Sequence, residues 1–408
     1  MRIKISNLGA IEQAEINLKP LTIFVGANST GKTWTAYTLA SIFGQYGFDK
    51  YIKAYNKTHI KYELLENAFD TFLQIGSTQI DLIEFANNCA DKYINDVSSL
   101  APDWIPEYLN TERANFQNLK LDIELSNSKI NIIDKIKNYS LDKHVSFGSQ
   151  FTVKIIKQQG ENDIYFFIIY EGDSKKTPQV LEKVFKEIFS ETIFEIIHKC
   201  LYSYTYIFPT ERTAYTGFPF AFNTKEIKLN IDKLIQDIEQ EDISETKVNH
   251  NQEKVLIKLI KLRELLNENA DEQKTSKDNK PRIKGNAAIQ SLIEVIAKAS
   301  TIEDITRKQQ AQENSKIQDY IDLAQALERN ILYGNIEIDS SKLQNEIVFH
   351  PLNNGASLEM QVSSSMVKEL APLLLCLRYL AEPNDLLIID EPEMNLHPEA
   401  QVHCMYPP

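Results

Sequence analysis

Residues 26–33 read Gly26-Ala27-Asn28-Ser29-Thr30-Gly31-Lys32-Thr33, and they follow the apolar run Leu21-Thr22-Ile23-Phe24-Val25. The pattern is GxxxxGK[ST], a complete phosphate-binding loop (P-loop). Glycines let such a backbone curl until successive N–H groups face one anion. A helix that starts at Lys32 puts its positive end behind those groups. Lys32 is then placed for the β- and γ-phosphates of a nucleoside triphosphate, and the Thr33 hydroxyl for Mg²⁺. The flanks agree with this reading. Leu21–Val25 predicts a buried strand that feeds a tight loop. Ala36, Leu39, Ala40 and Phe43 recur at the spacing of a helix's inner face.

A second motif lies far downstream, at Leu386-Leu387-Ile388-Ile389-Asp390-Glu391-Pro392-Glu393. Four apolar residues that end in two acids predict a Walker B strand. Asp390 is placed to hold Mg²⁺ through water, and Glu391 to orient or deprotonate an attacking water. The carboxyl end of a parallel strand is also where an open α/β sheet places its ligand. Between the two motifs, Val362-Ser363-Ser364-Ser365-Met366-Val367-Lys368-Glu369-Leu370 opens a helix. Read alone, its serines are a plain helix cap. Together with the helix's orphan N–H groups they also make a second anion site.

The rest of the chain organises around these motifs. Arg2–Ser6 and Ile11–Asn17 alternate apolar and polar residues, as half-buried strands do. Residues 60–118 read mostly as helix, with Leu64, Leu65, Phe69 and Phe72 at helical spacing. Strands are predicted near 119–125, 151–157, 163–170 and 205–208, and a helix over 179–200. From residue 225 the chain becomes charged and helical, with an amphipathic helix over 253–267 and a polar, basic loop over 274–285. Strands return at 335–339, 346–350 and 357–361, followed by a helix over 365–380. The expected fold is α/β with the P-loop NTPase arrangement: a mixed central sheet, antiparallel N-terminal strands and a helical insertion. Residues 1–224 form the first part of one head, 225–330 the insertion, and 331–408 the remainder of the same head.

Composition narrows the function. The chain has 408 residues, 43% hydrophobic and 25% charged, with a formal net charge of -13. That balance is globular, and it argues against a surface that coats nucleic acid throughout. The four cysteines, Cys89, Cys200, Cys376 and Cys404, have no CxxC spacing, so no zinc site is predicted. Scattered cysteines and an N-terminus without an apolar core point to a cytoplasmic protein with no membrane partner. The most apolar stretch, 371–381, is too short to span a bilayer. Trp34, Trp104 and the histidines at 59, 144, 198, 250 and 350 read as packing or surface residues.

The three motifs in this order resemble the ABC-type ATPases of the SMC/RecF/OLD group. The likeness is greatest to bacterial AAA ATPases related to OLD nucleases and anti-phage defence proteins. The opening stretch 2–28, Phe208-Pro209-Thr210-Glu211-Arg212-Thr213 and the run from Asp390 to Pro398 carry that likeness at both ends of the chain. It implies an ATP- and Mg²⁺-dependent ATPase acting in DNA repair or phage defence, with DNA or a nuclease as further partner. The alternative is a non-hydrolysing, ATP-dependent dimerisation switch. The resemblance also implies an ATP-dependent homodimer, with two heads packed head-to-tail around two nucleotides. Ser363 and Ser365 of one protomer would then complete the γ-phosphate site of the other, although Ser364-Ser365 replaces the glycine pair of the transporter signature. Glu211 either takes the place of the glutamine that meets Mg²⁺ in this group or simply ends a polar strand. In the group a further strand follows the Walker B helix and carries a histidine that senses the γ-phosphate. Here His397 belongs to the turn instead and His403 to the tail, so a chain cut short of its C-terminal lobe, without a Toprim-type nuclease domain, is expected.

Overall fold

The computed structural model describes residues 1–57, 60–126, 128–147, 151–170, 182–217, 287–302, 304–339, 346–352 and 355–398. The expected helix over 253–267, the loop over 274–285, His59, His250 and the tail with His403 and Cys404 lie outside the described residues.

Strands β1 (Arg2–Leu8) and β2 (Ile11–Asn17) form the predicted antiparallel hairpin. Gly9 turns it at a φ of 59°, under the Trp34 ring, where a Cβ would sit 2.3 Å from a ring carbon. Strand β3 spans Ser77–Asp81 and β4 spans Lys120–Glu124. β4 pairs antiparallel with β1 on the side opposite β2. Strands β5 (Leu141–Phe147), β6 (Phe151–Lys157) and β7 (Asp163–Tyr170) complete a four-stranded antiparallel sheet in the order β3-β7-β6-β5. Strand β8 (Thr205–Phe208) lies after the helix Glu182–Leu201. Strands β9 (Gly334–Asp339), β10 (Glu346–Pro351) and β11 (Leu358–Glu359) form a third antiparallel sheet. Strand β12 (Leu386–Ile389) pairs in parallel with β8, Ile388 opposite Ile207.

Two cores flank that parallel pair. The larger is aromatic and lies among the helices Gln45–Tyr55, Leu82–Ser99 and Glu182–Leu201. Phe194 stacks on Tyr93 at 5.2 Å and meets the Tyr51 ring edge-on at 5.3 Å. The second core gathers Leu292, Val295, Ile336, Leu370, Leu374 and Tyr206, so the helix Ala287–Ala299 packs directly against β8. Leu386 and Ile388 lean on the first core, Leu387 and Ile389 on the second. Both faces of the parallel pair are therefore covered, as an apolar run of this kind requires.

Two expectations are corrected here. Leu21–Val25 is not a buried strand: it belongs to no strand, and Leu21, Ile23 and Val25 are 77%, 71% and 90% exposed. The single mixed central sheet is consequently absent among the described residues, because nothing joins the β1–β2–β4 sheet to the β8–β12 pair. An apolar run records a wish for two covered faces; it carries no information on whether a neighbouring strand edge is available. Two further differences are smaller. The strand expected over 357–361 shrinks to Leu358–Glu359, and the helix expected to 380 ends at Leu375, continuing as a π-helical turn over Cys376–Leu380.

Candidate functional site

The loop Gly26–Thr30 is solvent-exposed, and it turns through left-handed conformations at Ser29 (φ 64°) and Gly31 (φ 94°). Gly31 has no substitute. Besides its φ, a Cβ there would lie 2.7 Å from Ile11 of β2. The hairpin thus fixes the point at which the loop becomes a helix. That helix, Lys32–Phe43, carries no acidic residue in its first turn, so the positive end of its dipole is not neutralised. Its far end is pinned by His198. The imidazole Nε2 faces the Phe43 carbonyl at 3.1 Å and Nδ1 meets the Tyr93 hydroxyl at 2.9 Å. Burial pushes the His198 pKa down to about 4, so the ring is neutral: Nε2 donates and Nδ1 accepts.

Within the loop, the Lys32 ammonium donates to the carbonyls of Gly26 and Ala27, both at 2.9 Å. The Thr30 hydroxyl donates to the Ala27 carbonyl at 2.9 Å. Asn28 and Ser29 lie at the exposed crest between them. Thr33 reaches across the site, and its hydroxyl donates to Asp390 Oδ1 at 3.1 Å.

Asp390 and Glu391 follow β12 directly, and the Asp390 N–H donates to the Phe208 carbonyl at 3.0 Å, extending the pairing with β8 by one residue. Asp390 is buried, and its second carboxylate oxygen, Oδ2, has no hydrogen-bond partner. Burial raises its pKa, opposed by the Thr33 hydrogen bond; the Glu211 charge raises it further, and those of Arg212 and Lys32 lower it. Glu211 is exposed and within electrostatic reach of the Asp390 carboxylate. Glu391 takes the left-handed backbone (φ 47°), unusual for a side chain of this size. A hydrogen bond shared with Glu393 holds its pKa above the usual carboxylate range. Desolvation and the charges of Glu393 and Asp390 add to this, against Lys32.

The serines divide their tasks. Ser364 is the N-cap of the helix Ser365–Leu375 and accepts from the Val367 N–H at 3.3 Å. Ser363 is buried and donates to the Glu359 carbonyl at 3.0 Å. Ser365 is exposed at the first helical position. Among the described residues, no hydrogen bond joins Ser363 or Ser365 to the loop Gly26–Thr33.

A group of residues that the motifs did not announce surrounds the Asp390 turn. Arg212 and Glu369 form a buried ion pair. Arg212 also donates to the carbonyls of Asp390 at 2.7 Å and Glu391 at 3.1 Å. Thr213 and Asn395 donate to the same Glu369 carboxylate. Each lies in a stretch quoted above, 208–213, 362–370 or 390–398, but these stand too far apart along the chain for spacing to reveal the partnership.

Mg²⁺ is a hard cation that binds few protein oxygens and keeps water and phosphate oxygens around it. A buried carboxylate oxygen without a partner, beside a threonine hydroxyl, suits that demand. Among the described residues no group of three or more His, Cys, Asp and Glu side chains is suited to hold a metal ion alone. A surface groove of about 690 Å³ lies elsewhere, between the helix Glu63–Ile75 and strands β3 and β7, and it includes none of these residues. Among the described residues no helix is long and apolar enough to cross a membrane.

Comparison with known proteins adds one finding. The family model described as an AAA ATPase domain matches residues 1–405. No curated protein and no solved structure matches the chain.

Proposed function

The chain belongs to the AAA ATPase domain family, and from that premise we propose that it binds ATP with Mg²⁺ and hydrolyses it to ADP and phosphate, as a head of the ABC type. The observation that carries this reading is the bond from Thr33 to Asp390, with the second Asp390 oxygen buried and unpartnered. It joins the P-loop to the acidic strand end across almost the whole chain.

The roles follow from chemistry. Gly26 to Gly31 present backbone N–H groups to the phosphates, and Lys32 exchanges its two carbonyl partners for phosphate oxygens. Thr33 and Asp390 hold the metal ion, which when bound neutralises charge on the phosphates. Glu391 orients a water whose oxygen bonds to the γ-phosphorus. The bond from that phosphorus to the β–γ bridging oxygen breaks, ADP leaves, and the water's proton passes to the Glu391 carboxylate. The finer reading is a cytoplasmic member of the SMC/RecF/OLD group, acting in DNA repair or phage defence, with DNA or a nuclease as further partner. Its support is the likeness of the motifs at both ends of the chain. The homodimer reading has one further support: Ser365 stands exposed at a helix N-terminus, open to a second head.

Calorimetry with MgATP tests the central claim. Lys32→Ala removes a charge-assisted contact and lowers affinity roughly 10- to 100-fold. Equal affinity in the variant and the wild type would overturn the assignment of the loop.

A further inference from the structure

Arg212 begins a short helix, Arg212–Gly217, just after β8, and its side chain is 2% exposed. A buried guanidinium needs partners for all five of its N–H groups. Here they reach the Asp390–Glu391 turn, Glu369 and the end of β8. Nη1 donates to the Asp390 carbonyl at 2.7 Å and to Pro209 at 2.9 Å, and Nη2 to the Glu391 carbonyl at 3.1 Å. Nε donates to the Glu369 carbonyl at 3.2 Å, and Nη2 also pairs with the Glu369 carboxylate. Glu369 is itself fully buried, on the helix whose N-terminus carries Ser364 and Ser365.

The Glu391 backbone is left-handed, and such a conformation persists only where its surroundings over-determine it. Arg212 supplies that constraint by gripping the carbonyls of both Asp390 and Glu391. It makes no hydrogen bond to Gly26–Thr33 among the described residues.

We infer that Arg212 is a positioning residue for the Glu391 carboxylate, and that through Glu369 it ties that position to the helix Ser365–Leu375. A shift of this helix, pressed from its exposed N-terminus, is then transmitted to the carboxylate that orients water. One planar side chain bonds both elements, so neither moves without straining or breaking bonds to the other. Asn395, in the turn after Glu391, closes the circuit by donating to Glu369 Oε2 at 3.2 Å. The inference rests on the hydrolytic reading proposed above.

The test compares single-turnover ATP hydrolysis with MgATP affinity, on the full chain, for wild type, Arg212→Lys and Asn395→Ala, with Glu391→Gln as the blank. Lysine keeps the charge beside Glu369 but cannot hold two carbonyls in a fork. Arg212→Lys is expected to keep MgATP affinity within about threefold while hydrolysis falls tenfold or more, because a displacement of about 1 Å suffices for roughly 10²-fold. Asn395 is exposed, and Asn395→Ala gives a smaller loss of rate in the same pattern, which decides the matter if Arg212→Lys does not fold. Unchanged hydrolysis in both variants overturns the inference. So does a rate that falls only in proportion to affinity and folded fraction. If wild type binds MgATP without turning it over, the hydrolytic reading fails separately. Amide exchange in the MgATP complex then decides: faster exchange over 390–395 in Arg212→Lys, with the helix Lys32–Phe43 unchanged, supports the clamp, and no difference removes it.

Discussion

The two halves of the candidate site are built by opposite means. The phosphate half, Gly26–Lys32, is exposed over Gly26–Thr30, continuous in sequence and internally bonded, with Lys32 and Thr30 returning to carbonyls of their own loop. The acidic half, Asp390–Glu391, takes its shape from Arg212 and from Glu369 beyond it, side chains that come from other parts of the chain. Local geometry suffices to make an anion cradle, because backbone N–H groups are present at every residue and need only be turned inward. Fixing the direction of a single carboxylate demands a scaffold, and the Asp390–Glu391 turn is bonded to a buried charge network.

If that contrast is right, the two halves separate cleanly under mutation. The largest effect is expected at Glu391. Glu391→Gln keeps the shape of the turn and removes the group that takes the proton, so single-turnover hydrolysis falls roughly 10²- to 10³-fold while MgATP affinity holds. A parallel loss of affinity would show that the halves do not act independently. The same variant loaded with MgATP is expected to scatter light as a dimer. A monomer at saturating nucleotide would remove Ser363 and Ser365 from the partner's γ-phosphate.

A smaller effect comes from the neighbour. The Glu391 pKa is raised, chiefly by the hydrogen bond shared with Glu393. The base form is therefore lost as pH falls through a value higher than that of an ordinary glutamate. Glu393→Gln takes away the second negative charge, so the acid limb of hydrolysis moves to lower pH. A limb that stays in place would show that another group sets it.

The smallest effect concerns the helix that bears the serines. Ser364→Ala leaves the Val367 N–H without its cap and costs about 1 kcal/mol, read as a lower urea midpoint. No change would mean that the helix start is held by Ser363 and its bond to Glu359 instead.

The same contrast explains what the sequence made legible. The P-loop sequence, the helix after it, β8 and β12 were all readable, because each is marked by residue types at short spacing. Asp390 was recognisable from four apolar neighbours and a following acid. The Arg212–Glu369 pair was not, since its members stand 157 residues apart in the Nε contact and nothing local marks them. β5 was missed because Leu141–Phe147 has charged or polar residues at four of its seven positions, Asp142, Lys143, His144 and Ser146. Its place is set by the register with β6, not by a hydrophobic pattern. Leu21–Val25 failed in the opposite direction. Its apolar pattern was strong, but it joins none of the sheets that the described residues form.

The hydrogen bond from Thr33 to Asp390 closes a loop of 357 residues. On a ribosome, at about 5–20 residues per second, the acid is made roughly 20–70 s after the threonine. The P-loop and its helix thus leave the exit tunnel well before the acid they pair with. Contacts of such sequence separation form late in folding, because the entropy of closing the intervening chain is lost before the contact repays any of it. The MgATP capture proposed above is accordingly reserved for chains in which Thr33 and Asp390 have already met.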